Sequence, residues 1–217
     1  MDLSHITVNT QSSIRIEGAR ILYFDPFQVD RALYDADIIF ITHEHYDHFD
    51  PDSIAKVKKE STLLAAPDSM KKKVVSGSGI ASDHCVFYQP GERQEMDGIV
   101  TEAVPAYNKL KPFHPKSKKW LGYIVEMDGV RYYVAGDTDV NEDIRKVRCD
   151  VAMIPIGGHY TMDWKQAADY AAELKPGAVI PTHYGSIVGN EADGQEFKKR
   201  LGTLNKSIQT DLALFSR

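Results

Sequence analysis

The chain alternates between short runs of β-branched and aromatic residues and polar or glycine-bearing breaks. From Ile6 to Asp25 the period is two: Ile6 and Val8, Ile14 and Ile16, a Gly18-Ala19 turn, then Ile21 to Phe24. That alternation predicts an antiparallel meander. Val29 to Asp35 reads as a short helix or turn, and Ile38 to Ile41 is apolar throughout, which predicts a buried strand. Asp50-Pro51-Asp52-Ser53 carries the proline and acids of a helix start, Leu63 to Ala66 a further strand, and Asp68 opens a second helix whose Lys71-Lys72-Lys73 reads as a solvated face. Short strands follow around Val86 to Tyr88, Arg93 to Met96 and Ile99 to Val104. Asp128-Gly129, set between Trp120 to Met127 and Val130 to Ala135, predicts a hairpin. Val151 to Ile156 and Ala178 to Ile180 are strands. Between them Asp163 to Leu174 is an amphipathic helix with Asp163 as N-cap, Gln166 at the capping-box position and Lys175-Pro176-Gly177 as its stop. A helix from Asp193 to Leu201 and a last strand near Leu212 to Phe215 complete the pattern.

Four of the apolar strands end in loops that hold ionisable residues. The run Ile38 to Ile41 breaks into Thr42-His43-Glu44-His45-Tyr46-Asp47-His48, three of the eight histidines of the chain. In so short a loop His43 and His45 can turn to one point while Asp47 and His48 turn to another. Imidazole with carboxylate suits zinc, manganese or iron. Asp137 follows the second hairpin strand, His159 follows Val151 to Ile156, and His183 follows Ala178 to Ile180. Strand-end loops of layered α/β folds gather on one edge, where sites are built. Asp137 is placed to bridge two ions, and His183 to complete the second with Asp47 and His48. Asp25 sits just past a strand, where it either starts a turn before Pro26 or orients a ligand.

Composition sharpens this picture only a little. A chain of 217 residues, 42% hydrophobic and 26% charged, suits a single domain over residues 1–217. Its formal charge of −5 argues against a general nucleic-acid or anionic-membrane binder. Cys85 and Cys149 open strand-like runs and read as small core residues of a protein in a reducing compartment. Met1 to His5 has no basic or apolar leader character and no later run approaches membrane-spanning length, so the expectation is a cytoplasmic protein, with a homo-oligomer an open option. The one sharp shift is Lys109 to Lys119, a lysine- and proline-rich loop containing His114. Long loops of this kind often touch substrate, which makes Lys109 and Lys111 candidate contacts for a small anionic substrate.

The segments Phe40 to His48, Ala135-Gly136-Asp137-Thr138 and Pro181-Thr182-His183-Tyr184-Gly185 resemble, in order, the metal motifs of the metallo-β-lactamase superfamily. Gly157 to Met162 is similar to a segment of its small metal-dependent hydrolases, the branch related to ascorbate-6-phosphate lactonase-like proteins. The resemblance implies an α/β (α+β) fold, a four-layer αβ/βα sandwich with metals at one edge of two sheets. It also implies a metal-dependent hydrolase holding one or two ions, zinc first and manganese or iron as alternatives, with Asp25 supporting the ligands from behind. Asp47 and Asp137 would orient the attacking water. His159 would bind the developing oxyanion or protonate the leaving group, with Tyr160 a further donor. One departure stands out. Where the superfamily usually supplies a third histidine for the first metal, this chain has Tyr107-Asn108. Asn108 can offer a carbonyl oxygen to the metal or to substrate, a weaker ligand than imidazole for zinc-like ions, so either His114 folds back to complete that site, or the first metal is held loosely, or only one metal binds. A small ester, lactone or phosphoester is the expected substrate. A metallo-phosphodiesterase or nuclease, and a non-hydrolytic di-iron or metal-binding module, are the competing readings.

Overall fold

The computed structural model describes residues 1–216. Two sheets are built, one from each half of the chain. The first runs in the order β1 (Ile6–Val8), β2 (Ile14–Glu17), β3 (Ile21–Phe24), β4 (Ala36–Phe40), β5 (Lys58–Pro67) and β6 (Cys85–Tyr88). β1 to β3 form the antiparallel meander, with Ile6 opposite Ile16 and Ile14 opposite Phe24, and β3 to β6 are parallel. The second sheet begins at an edge with β7 (Arg93–Met96), β8 (Ile99–Pro105), β9 (Leu121–Met127) and β10 (Val130–Val134), all antiparallel. It continues in parallel through β11 (Val151–Pro155), β12 (Ala178–Thr182) and the two-residue β13 (Gln209–Thr210).

The two sheets face each other across a shared core that includes Ile16, Ile38, Phe40, Tyr123, Val134 and Met153. α1 (Pro51–Val57) and α2 (Lys71–Gly77) cover the outer face of the first sheet, where Ile39, Ile41, Ile54, Val57 and Val74 pack together. α3 (Trp164–Leu174) and α4 (Ala192–Leu204) cover the outer face of the second, through Ala167, Tyr170, Phe197 and Leu201 against Tyr133, Ala152 and Ile154. The result is the four-layer αβ/βα sandwich. The run Ile38 to Ile41, which ends β4 and continues one residue past it, is apolar at every position because Ile38 and Phe40 point to the sheet-sheet core while Ile39 and Ile41 point to the helices. Burying each such side chain is worth about 1.5–3 kcal/mol.

The caps follow the sequence closely. Asp50 accepts from the Asp52 amide ahead of α1, and Asp163 and Gln166 form a reciprocal capping box at α3. One expected element differs. The apolar run near Leu212 to Phe215 is not a strand; β13 precedes it, and Ala213–Ser216 forms a short helix, α5, packed against β1 and β12. An apolar run that short carries no periodicity able to separate helix from strand. No helix among the described residues is long and apolar enough to cross a membrane.

The sheet arrangement sets the site. β4, β10, β11 and β12 release their C-terminal ends on one edge of the sandwich. There the sheets are tied together by the Leu121 amide donating to Thr42 O at 3.1 Å and the Tyr123 hydroxyl donating to Ile41 O at 2.9 Å.

Candidate metal centre

The loop after β4 turns back on itself, the His48 and Phe49 amides donating to His45 O at 3.1 and 2.8 Å. This tight turn throws His43 and His45 to one side and Asp47 and His48 to the other. Asp137 arrives from β10 through Gly136, whose left-handed φ of 63° and close approach to Leu121 O, 2.9 Å from where a Cβ would lie, leave room only for glycine. His183 follows β12 and is itself left-handed at φ 56°, as are His114 at 55° and Asp25 at 45°. Non-glycine residues held there cost about 1–3 kcal/mol each and collect where geometry serves function.

Two clusters result. His43, His45, His114 and Asp137 bring their donor atoms within 4.8 Å of one another, and so do Asp47, His48 and His183. Asp137 stands between them: its Oδ2 is 3.2 Å from His114 Nε2, 3.4 Å from His183 Nε2 and 3.9 Å from His43 Nε2, while its Oδ1 is 3.4 Å from His48 Nε2. Asp47 Oδ2 lies 3.3 Å from His183 Nε2 and 3.6 Å from His48 Nε2. All of these residues but His45 are buried. Although carboxylates are so near, His48 Nε2, His114 Nε2, His183 Nε2 and Asp137 Oδ1 have no hydrogen-bond partner. Buried polar atoms left unpaired are costly. Nitrogen and carboxylate lone pairs converging on shared points fit two divalent cations, the ligand chemistry of zinc, manganese or iron.

The candidate ligands are braced from behind. The Thr42 amide donates to Asp25 Oδ1 at 2.7 Å and its hydroxyl to Asp25 Oδ2 at 2.6 Å. His48 Nδ1 is 2.7 Å from the same Oδ2, and His43 Nδ1 is 3.0 Å from the Thr42 hydroxyl. With Nδ1 protonated and donating, each imidazole turns its Nε2 lone pair into the site. One buried carboxylate therefore orients a ligand in each cluster, directly for His48 and through Thr42 for His43.

Electrostatics follow the same layout. Burial, with His48 nearby, holds His43 well below the ordinary imidazole value; burial and His114 lower His45. Both imidazoles are held toward the neutral form. Burial also opposes charge on His48, yet Asp137, Asp25 and Asp47 outweigh it and push its pKa up to about 9. Asp137 is the mirror case: burial disfavours its anion, but His183, His48, His114 and His43 hold it well below the carboxylate range. Burial raises Asp25, with His48 and Thr42 opposing.

The sequence profile of the β-lactamase superfamily domain matches residues 5–184. This chain belongs to the β-lactamase superfamily. Named relatives extend the match over nearly its full length. A UPF0173 metal-dependent hydrolase of Thermococcus onnurineus is 32% identical over 203 residues, covering 88% of this chain and 89% of the relative. One from Pyrococcus horikoshii is 34% identical over 205 residues, covering 86% and 87%. The crystal structure of a Parabacteroides distasonis protein superimposes with a TM-score of 0.78 at 30% identity, over 95% of this chain and 90% of that one.

For this β-lactamase superfamily member the fold shows where Asn108 and His114 lie. The Asn108 amide donates to His114 O at 2.8 Å and its Nδ2 to Tyr160 O at 2.7 Å, pinching the 109–113 segment so that His114 returns to the centre. His114 joins the first cluster and Asn108 stands behind it. Three other expectations are corrected. Lys111 Nζ donates to Asp139 Oδ1 at 2.6 Å and to the Gly158 and Thr161 carbonyls, and Lys109 pairs with Glu142, so neither faces the centre. His159 is exposed: the Gly158 turn, φ 85°, sends it to the surface, where its ring meets Tyr160 at 4.5 Å. Tyr160 does line the cavity at the centre, with Asp47, His114, Asp137 and His183. Trp120, which the sequence reading folded into a strand, precedes β9 and packs its indole 4.9 Å from His43, 4.9 Å from His45 and 5.4 Å from His114. A large aromatic just before a strand is a weak signal, since most such residues only fill cores.

Proposed function

We propose that this protein is a metal-dependent hydrolase of small esters, lactones or phosphoesters, in which His43, His45, His114 and Asp137 hold one cation and Asp47, His48 and His183 the other. The observation that carries the reading is the convergence of buried donor atoms without hydrogen-bond partners around Asp137. Two divalent cations there would polarise the scissile group and lower the pKa of water toward neutrality. Asp137, with an oxygen toward each cluster, spans both sites. Asp47 is the more accessible carboxylate and lines the cavity, which places it to accept a proton from the attacking water and fix its orientation. Burial of the remaining ligands excludes bulk water behind the reacting group. The donor set suits zinc, and the free thiols of Cys85 and Cys149 suit a reducing cytoplasm.

The test is metal dependence of hydrolysis. Protein stripped by a chelator should lose turnover of a panel of small esters and lactones and regain it with zinc, manganese or iron(II). Undiminished turnover by protein with less than about a tenth of an equivalent of metal would defeat the assignment.

A further inference from the structure

The cavity beside the two clusters has a volume of about 260 Å³. Apart from candidate ligands, its walls are Tyr46, Phe113, Tyr160, Ile187 and Val188, and no described lysine or arginine lines it. Three of these walls lie open at the mouth: Tyr46 is 65% exposed, Ile187 44% and Phe113 40%. Large apolar side chains exposed together around one opening, rather than scattered singly, mark a ligand surface. Their rings are mutually braced, Phe113 edge-on to Tyr160 at 4.6 Å and Tyr46 edge-on to Phe27 at 5.9 Å. The lysines that flank the site are held elsewhere: Lys109 by Glu142, Lys111 by Asp139, Lys116 by Asp143 and Lys118 by Glu44. A negative group on the non-reacting part of a substrate would meet apolar walls with no cation to pair it. Size narrows the choice further. An apolar cavity of about 150 Å³ takes a single benzene ring, so this one holds a ring together with the ester group attached to it.

We propose that the site selects a small uncharged ester or lactone whose acyl part carries one aromatic ring, seated between Phe113, Tyr160 and Ile187. The inference rests on the hydrolytic reading above and deepens it. In the reaction water adds its oxygen to the acyl carbon, and the bond from that carbon to the alkoxy oxygen breaks with its electron pair on the leaving oxygen. One proton of water ends on the departing alcohol and the other is released by the carboxylic acid formed. Nothing is oxidised or reduced.

The experiment uses zinc-loaded protein and two readouts. Calorimetry compares benzohydroxamic acid, acetohydroxamic acid and 4-carboxybenzohydroxamic acid, which share one metal-binding group and differ in ring and charge. The first should bind at least about tenfold more tightly than either of the others. Phe113→Ala and Ile187→Ala should each remove most of that preference without changing metal content. Equal or tighter binding of the carboxylated compound, or of the ring-free one, would overturn the inference. Turnover of methyl benzoate against monomethyl terephthalate supplies the second readout and should favour methyl benzoate by a similar factor. Turnover of both esters at equal rates would overturn this inference and leave the hydrolytic reading standing. No turnover of either, with the binding preference intact, would overturn methyl ester hydrolysis as the reaction of this site and support the selectivity of the cavity.

Discussion

Asp25→Asn is the most informative single substitution. The side chain is fully buried, and its Oδ2 receives both His48 Nδ1 at 2.7 Å and the Thr42 hydroxyl at 2.6 Å while Oδ1 receives the Thr42 amide. Asparagine is isosteric and tolerates the left-handed φ of 45°, so the backbone has no reason to move. If its oxygen keeps the Thr42 amide, its NH2 replaces Oδ2 and faces two donors. His48 then loses both its orienting bond and the negative charge that raises its basicity. Removing such a supporting partner typically costs 10–100-fold in metal affinity, which is about 1.4–2.7 kcal/mol. The loss should fall mainly on the Asp47, His48 and His183 cluster. His43 is reached only through the Thr42 hydroxyl, so Thr42→Val should weaken the first cluster instead. Competition with a chromophoric chelator resolves the two affinities, and circular dichroism checks the fold. Folded Asp25→Asn protein with both affinities unchanged, or with both reduced equally, would refute the reasoning.

Other consequences follow from the same geometry. His114→Ala should cut bound metal from about two equivalents to about one by elemental analysis, because His114 supplies the third imidazole of the first cluster; retention of two would place that metal elsewhere. Lys111→Met keeps the aliphatic stem but leaves the Asp139 carboxylate and the Thr161 carbonyl without their lysine partner, so urea denaturation should show a loss of about 1–2 kcal/mol. No loss would mean the lysine is not a strut. Burial, with Asp150 beside it, pushes the Cys149 thiol up to about 12. At pH 8 only about one thiol in ten thousand is then ionised, and an alkylating reagent should modify the partly buried Cys149 far more slowly in the native protein than after unfolding; equal rates would contradict the raised pKa.

Much of the fold and part of the site are legible in the sequence. The all-apolar run of β4 signalled burial on both faces, and Asp163 with Gln166 announced the start of α3. These are local signals, readable within a few residues. His114 was harder, because its place depends on the Asn108 and His114 backbones bonding across a loop whose composition reads as solvent-exposed. Lys109 and Lys111 misled for the complementary reason: charge is visible in a sequence, but its partners Glu142 and Asp139, some thirty residues away, are not. His159 ends a strand as His183 does. One glycine turn separates their fates, sending the first to the surface while His183, strained and buried, stays at the centre. Trp120 touches three histidines that share no sequence period with it, so nothing local could mark it.

The central claim is that two cations flank Asp137, one bounded by His43, His45 and His114 and the other by Asp47, His48 and His183. Anomalous diffraction at the zinc edge from crystals of zinc-loaded protein tests it directly. Two peaks, one on each side of the Asp137 carboxylate and each among its named donors, are the predicted result. A single peak, or peaks away from these residues, would contradict the account.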